Sequence, residues 1–461
     1  MDTERYDLIV IGGGSAARAA AEKARNEHGA KVALAEHQLW GGSCPNVACN
    51  PTKAYLVAAE LAYRITHLAN EIGIEVGPAE PNLAKIKARK DSLVTPQPNW
   101  VENLRAAGYD TYDGTASFVD PHTLRVDSSQ LTADKILIAT GSRTTVPPIE
   151  GIDRVDWLDH VTALELEELP RSLLVVGAGA VGLELGQAFS RFGSEVTIVD
   201  ALDEIAPQAD PHAGMELRAA LTAEGIRIIL GCFVGRVDGN VATIVPREGG
   251  MERTLEFDRL LLASGRRPNV EHLSLEAAGV ETYKLGIVTD ERMRTNVPGI
   301  WAAGDVNGQA LFTPAAQYQG RIAVEDMFRP GEGPAADYSI LPTAIFTDPE
   351  LATVGFTQTA AEEQDFEAEA VVHPLKHMRR ARYVNAEHGL YKIVFDRSSR
   401  RVLGLHVVAP NASDVVQGLS VAMRLRVTVD ELAEAHHTFP TFGEGVKAAA
   451  EQVAIPAAGV V

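Results

Sequence analysis

An α/β fold built from two copies of one strand–turn–helix–strand unit, followed by a C-terminal α+β region, is predicted by three observations. First, residues 7–11 read as a buried strand that gives way to three glycines, an alanine-rich helical stretch over 16–30 and a second strand over 31–35 that ends at Glu36. Second, the same order recurs over 172–177, a stretch reaching Phe192, and a run over 195–199 that ends at Asp200. Third, the character changes after Pro334: β-branched runs at 390–395 and 402–408 precede helical stretches from Asp414 onward. Short apolar runs bounded by glycine read as buried strands, and strands alternating with helices read as a parallel sheet.

The chain has 461 residues, more than one hydrophobic core sustains, so several domains are expected. Pro147-Pro148 and Arg267-Pro268-Asn269 read as crossings, giving a first unit over 1–148 that resumes over 269–334, a second over 149–268, and a C-terminal domain over 335–461. With 42 basic against 62 acidic residues the formal charge is −20, which offers no field to recruit nucleic acid or an anionic membrane. The local cluster Arg379, Arg380 and Arg382 reads either as a solvated basic turn or as a holder of an anionic ligand. The N-terminus lacks the basic and apolar segments of a signal peptide, and no run of eighteen apolar residues occurs. A cytoplasmic location follows as the expectation.

Each glycine turn implies chemistry. Gly12, Gly13, Gly14, Ser15, Ala16 and Ala17 follow a strand and open a helix, so backbone N–H groups at the helix start can hold a pyrophosphate, with Glu36 at the distance that suits an adenosine ribose. The second turn, Gly177-Ala178-Gly179-Ala180-Val181-Gly182-Leu183-Glu184, is complete, and Asp200 closes its second strand. Ala201, Leu202 and Asp203 follow without a cation, which favours NADH over NADPH; alternatively Asp200 caps the next turn, and NADPH remains open. Two Rossmann-like domains are therefore expected.

The most specific segment is Gly41-Gly42-Ser43-Cys44-Pro45-Asn46-Val47-Ala48-Cys49-Asn50-Pro51-Thr52-Lys53. Residues five apart in an ideal helix have Cα atoms about 8–9 Å apart, whereas a disulfide needs less than about 7 Å. A bridged pair therefore needs a distorted helix start, and Pro45 and Pro51 are residues that distort one. A helix start also lowers a thiol's pKa and produces the thiolate that exchange requires. No further cysteine or histidine is nearby to complete a metal site, so redox chemistry is the reading and no metal is assigned. Cys232 reads as a buried filler. Ala139-Thr140-Gly141-Ser142 and Ala263-Ser264-Gly265-Arg266 are a matching pair of strand-end turns, and Gly304-Asp305 follows a strand at a place suited to a cofactor hydroxyl.

Together these residues resemble the class I pyridine nucleotide–disulfide oxidoreductases, the family of lipoamide dehydrogenase, glutathione reductase and mercuric reductase, over essentially the whole chain. The resemblance implies a homodimer that binds FAD and a nicotinamide dinucleotide and shares its active sites across the interface. It makes Cys44 the interchange thiol that meets a small-molecule substrate and Cys49 the thiol against the flavin. Lys53 and Glu184 become an ion pair beside the flavin, and Asp305 a ligand of the ribityl chain. Gly42, Ser43, Ala139, Thr140, Gly141, Gly265 and Gly304 join the cofactor-binding set. The segment 338–355 resembles the start of the dimer-interface domain.

One segment departs from the pattern. Disulfide reductases of the family carry a histidine five residues before a glutamate, and this pair protonates the leaving thiol. Here Glu444 stands in place but Phe439 occupies the histidine's position, and phenylalanine moves no proton. His437 matches a histidine that the family has and does not use as its acid. A phenylalanine here is similar to mercuric reductase and to 2-ketopropyl coenzyme M oxidoreductase/carboxylase. The latter has a histidine where Glu444 stands, and the former uses a C-terminal cysteine pair absent from Ala457-Ala458-Gly459-Val460-Val461. The expected function is electron transfer from NADH through flavin and the Cys44–Cys49 dithiol to a disulfide-like or soft electrophile. Carbanion chemistry of the carboxylase type, metal reduction and a redox-sensing flavoprotein are the alternatives.

Overall fold

The structure is a computed structural model that describes residues 3–454; the tail Ala457–Val461 discussed above lies outside the described residues. It is an α/β protein, and its residues fall into two compact units.

The first unit comprises residues 1–51, 88–145 and 265–337. Its centre is a parallel five-stranded sheet in the order Ile300–Ala302, Ile136–Ile138, Leu8–Ile11, Val32–Glu36, Asp110–Asp113. Successive side chains of a strand point to opposite faces, so Leu8, Val10 and Leu34 enter one core while Ile9, Ile11, Ala33 and Ala35 enter another. A sheet buried on both faces explains why these strands read as continuous apolar runs. The helix Ser15–His28 covers one face through Ala17, Ala20, Ala21 and Ala24. Its small side chains permit close approach to the helix Thr313–Phe328, where a Cβ on Gly320 would stand 2.5 Å from the Ala16 carbonyl oxygen. Gly29, left-handed at φ 64°, ends the first helix by donating to the Arg25 carbonyl.

The second unit comprises residues 52–87, 146–264 and 338–461. It contains a parallel sheet in the order Arg227–Ile229, Glu195–Val199, Ser172–Val176, Arg259–Leu262. It also contains an antiparallel sheet in the order Thr343–Ile345, Glu350–Gly355, Val402–Ala409, Leu390–Asp396, Ala368–Pro374. The two central strands of the latter are buried along their whole length between Ala412–Arg424 and other covering elements. Helix Glu444–Ala450 lies so close to this sheet that a Cβ on Gly445 would enter the Tyr391 ring.

The helix Pro211–Ala223 is tied to the antiparallel sheet by a buried ion pair. The Lys392 ammonium donates to Asp210 at 2.7 Å, with 5 % and 1 % of their side chains exposed. Burial pushes the Asp210 carboxyl up, but the Lys392 hydrogen bond and charge outweigh it and hold the group below the ordinary carboxylate range. His406 is buried beside this pair, its Nε2 3.0 Å from the Phe356 carbonyl oxygen, and burial holds its imidazole below the usual value. Among the described residues no helix is long and apolar enough to cross a membrane.

Candidate active site

The first glycine turn is built by backbone proximity. Gly12 sits at φ 117°, where a Cβ would stand 2.3 Å from the Ala139 carbonyl oxygen, and Gly14 faces Gly42 so closely that a Cβ on Gly42 would lie 2.5 Å from the Gly14 Cα. Gly14 precedes the helix with no side-chain cap, so the first-turn N–H groups of Ser15 and Ala16 belong to the kind of helix start that receives an anion. Glu36 fixes the turn: one oxygen accepts the Gly13 N–H at 2.7 Å, and the other accepts from His37, Gln38 and Leu39. The strand-end turns carrying Ala139–Gly141 and Gly265 pair with each other, Ser142–Thr144 running antiparallel to Arg266–Pro268. Thr140 donates to the Asn269 carbonyl at 2.7 Å, and both Gly141 and Gly265 are left-handed with open space where a side chain would project. Gly304 at φ 85° donates to Gln319, and Asp305 accepts from Ser142 at 2.6 Å with Arg266 3.5 Å away. A side-chain-free turn, an uncapped helix start and a carboxylate fit the pyrophosphate and polyol of FAD.

The second turn repeats the construction. A Cβ on Gly177 would lie 2.4 Å from the Ala263 carbonyl oxygen, while Gly179 opens to free space before the helix Ala180–Phe192 that carries Val181 and Glu184. Asp200 accepts from Ala178 at 2.6 Å and from Leu202 at 2.8 Å, so both of its oxygens hold their own backbone. The chain just after Asp200 carries no cation, yet folding brings Arg247 to it: the guanidinium donates to the Ala201 carbonyl at 3.0 Å and pairs with Asp203 at 2.7 Å. No local pattern announces Arg247, because it arrives from the hairpin beyond Pro246.

The segment between the cysteines breaks as helix. Ser43–Asn46 forms one turn, Val47 departs to φ −138° and ψ −1°, and a new helix runs Cys49–Tyr63. The prolines are not at the break. Pro45 and Pro51 each stand third in their helix, inside a first turn where a missing N–H costs no hydrogen bond. Asn46 instead ties the turn down, donating to the Gly42 carbonyl at 2.7 Å and the Trp40 carbonyl at 2.9 Å. Cys44 and Cys49 are half-buried. The Cys49 sulfur lies 3.6 Å from the Thr313 hydroxyl, and the Arg18 guanidinium, stacked 4.9 Å over Trp100, places positive charge in the field of Cys44. Burial lowers the Arg18 pKa and the Cys44 charge opposes that. Cys232 is half-buried at a strand start rather than fully interior, and packs against the core beneath its sheet.

Lys53 stands one helical turn beyond Cys49 and donates to Glu184 at 2.6 Å. Phe346 holds both partners: its N–H donates to the other Glu184 oxygen at 2.9 Å, and its ring lies 4.3 Å from the Lys53 ammonium. Thr313, Arg18 and Phe346 thus join the residues named from sequence. Only Thr313 had a local signal, the threonine–proline pair that opens a helix.

In the C-terminal segment Phe439 is 63 % exposed, under the Arg379 guanidinium at 5.9 Å. Glu444 accepts the Thr441 N–H at 2.8 Å, the geometry of a carboxylate closing the start of its helix. Burial lowers the His437 pKa, the Lys447 charge adds to the effect and Glu444 opposes it; the His437 Nε2 is buried with no hydrogen-bond partner among the described residues. The structure therefore gathers His437, Glu444 and Lys447 in one neighbourhood and leaves the Phe439 ring open to solvent.

Comparison with known proteins agrees with this geometry. Residues 6–320 match the pyridine nucleotide-disulphide oxidoreductase family and residues 341–450 its dimerisation domain. The chain is 36% identical to mercuric reductase of Lysinibacillus sphaericus, covering 98% of this chain and 83% of that protein. It is 32% identical to the mitochondrial dihydrolipoyl dehydrogenase of Pisum sativum, covering 97% of this chain and 91% of that one. Among solved structures it is similar to the HOCl-induced flavoprotein disulfide reductase RclA from Escherichia coli, with a TM-score of 0.85, 29% identity, and coverage of 97% of this chain and 100% of that chain. The chain therefore belongs to the pyridine nucleotide–disulphide oxidoreductase family, as an enzyme that uses FAD and NAD(P)H and carries the family's dimerisation domain.

Proposed function

We propose that this enzyme passes electrons from NADH to a Cys44–Cys49 disulfide and on to a disulfide-like or otherwise soft electrophile whose product needs little protonation. FAD, when bound, supplies the relay between the nicotinamide and the sulfur pair. The chain's own residues do the rest. Gly12, Gly14 and Ser15 leave room and N–H groups for one dinucleotide, and Gly177, Gly179 and Val181 do so for the other. Glu184 and Phe346 hold the Lys53 side chain in place. Thr313 offers a hydroxyl to the Cys49 sulfur, and the Arg18 charge favours the Cys44 thiolate that attacks substrate. The domain division at 148, 268 and 334, a homodimer in which residues 436–444 of one protomer serve the cysteines of its partner, and a cytoplasmic location belong to the same reading.

The observation that carries it is Phe439. A side chain without a proton stands five residues before Glu444, while Glu444 is engaged by the Thr441 N–H and His437 is held toward its neutral form. A substrate whose leaving group is already stable as an anion suits such a site; an ordinary dialkyl disulfide does not. The deciding experiment is an anaerobic titration with NADH followed by a panel of oxidants. Steady turnover with activated disulfides and slow turnover with oxidised glutathione or lipoamide is the expected result. Reduction without turnover on any oxidant would favour the redox-sensor reading. Asp200 should favour NADH by about ten-fold, the worth of one charge-assisted hydrogen bond, and equal rates with NADPH at subsaturating concentration would refute that preference.

A second reading, reduction of mercuric ion, is favoured by the mercuric reductases 36% and 37% identical to the chain. Mercury(II) held by two thiolates is a soft electrophile whose reduction needs no proton on sulfur, so the same panel tests it. NADH consumption that depends on added mercuric thiolate, and exceeds that with any disulfide, would make this reading the stronger one.

A further inference from the structure

The chain carries 62 acidic residues, yet none lies between Glu369 and Glu387. That interval holds Lys376, Arg379, Arg380 and Arg382, all exposed. Among the described residues no carboxylate pairs with any of the three arginines. Two of them lie over aromatic rings instead, within cation–π range: Arg379 5.9 Å from the Phe439 centroid and Arg380 5.9 Å from that of Phe442. A guanidinium facing a ring keeps its N–H edge available, and that edge matches a carboxylate in two-point contact. In a protein of net charge −20 this interval is a local positive patch, the sign that draws an anionic ligand to the surface.

From this juxtaposition we propose that Arg379 and Arg380, seated on Phe439 and Phe442, form a docking site for the carboxylate of an anionic, low-molecular-weight disulfide or thiolate substrate. The inference rests on the proposed function, because it takes the segment around Phe439 as part of the substrate site. It adds the substrate's charge: the soft electrophile bears an acid group, and the arginines counter the repulsion that the rest of the protein exerts on it. The chemistry balances as NADH plus disulfide giving NAD⁺, two thiolates and one proton.

A matched pair of aromatic disulfides tests this. Both 5,5′-dithiobis(2-nitrobenzoate), a dianion, and 4,4′-dithiodipyridine, which is neutral, release thiols stable without an added proton, so neither needs the missing acid. In the unaltered holoenzyme, raising salt from about 0.02 to 0.5 M screens exposed charges. If the arginines dock the anion, KM for the dianion rises with salt; if they do not, the net negative protein repels it and KM falls or stays level. In Arg379→Gln/Arg380→Gln the ratio of kcat/KM for the dianion over the neutral disulfide should drop by about five- to tenfold, and Arg379→Lys/Arg380→Lys should recover part of it. An unchanged ratio, or a KM that falls with salt in the unaltered enzyme, overturns the docking site while leaving the proposed function standing. Failure of the unaltered enzyme to turn over either disulfide overturns both.

Discussion

Two short segments of this chain are held in opposite ways. Around Cys44 and Cys49 the backbone is pinned at many points: Gly42 against Gly14, Asn46 on two carbonyls, Thr313 at the Cys49 sulfur, Lys53 between Glu184 and Phe346. Around Phe439 the ring is mostly exposed and its polar neighbours are engaged with their own backbone or held neutral. On the proposed function, the first segment receives electrons from a cofactor that is the same for every substrate, which demands one fixed geometry. On the same reading the second faces the substrate, and Phe439 stands where the resemblance expects the proton donor. Electron delivery and substrate release are then separable.

The largest effect should come from breaking the rigid segment. Cys49→Ser should lower turnover on the order of 10³-fold or more and abolish the long-wavelength thiolate-to-flavin absorption that two-electron reduction produces. Cys44→Ser should show that absorption before any reductant is added. Parental spectra in both variants would remove the redox role from this segment.

A gain of function should come next from the open segment. Phe439→His restores a histidine five residues before Glu444 and should raise turnover of oxidised glutathione or lipoamide by at least about tenfold, the low end for a positioned acid. The new imidazolium acts as the acid, so the gain should be greatest below about pH 6.5 and decline as pH rises through that value. His437→Ala should leave the parent rate in place. A brisk parent rate that collapses in His437→Ala would make His437 the acid and erase the contrast between the segments.

The smallest effect sharpens the rigid side. Arg18→Met removes positive charge from the field of Cys44, so the thiol pKa should rise. Alkylation of the reduced enzyme at neutral pH should then slow by about two- to fivefold, the scale of a modest loss of thiolate. Equal alkylation rates would show that the helix start alone sets the thiolate.

Much of this was legible in the sequence, for physical reasons. A glycine whose Cβ would strike a carbonyl leaves a fixed signature, which is why Gly12 and Gly177 announced both dinucleotide turns. Strands buried on both faces announced themselves as unbroken apolar runs at 8–11 and 173–176. What escaped reading depends on the approach of distant residues: Arg247 reaching Asp203, Phe346 covering Lys53, and the Arg18 charge in the field of Cys44. The distorted helix start that a bridged pair needs is present, but at Val47; Pro45 and Pro51, which the sequence offers as its cause, sit harmlessly in first turns, and side-chain bonds from Asn46 shape the turn.

The Asp210–Lys392 pair with His406 beside it gives the enzyme a proton linkage of definite sign. His406 has its imidazole held below the ordinary value of 6.5, so below that pH the unfolded chain binds a proton that the fold refuses. Stability is then fully present above about pH 6.5 and is lost as acidity grows, by up to about 1.4 kcal/mol per pH unit until the buried ring itself protonates. Asp210, held below 3.8, adds a later loss as pH falls from that value through its own lowered pKa. Thermal unfolding of the holoenzyme between pH 7.5 and 5.5 should show the first loss, and His406→Gln should flatten it. Acid should accordingly weaken the strand Val402–Ala409, which carries His406, before it reaches the Asp210–Lys392 pair.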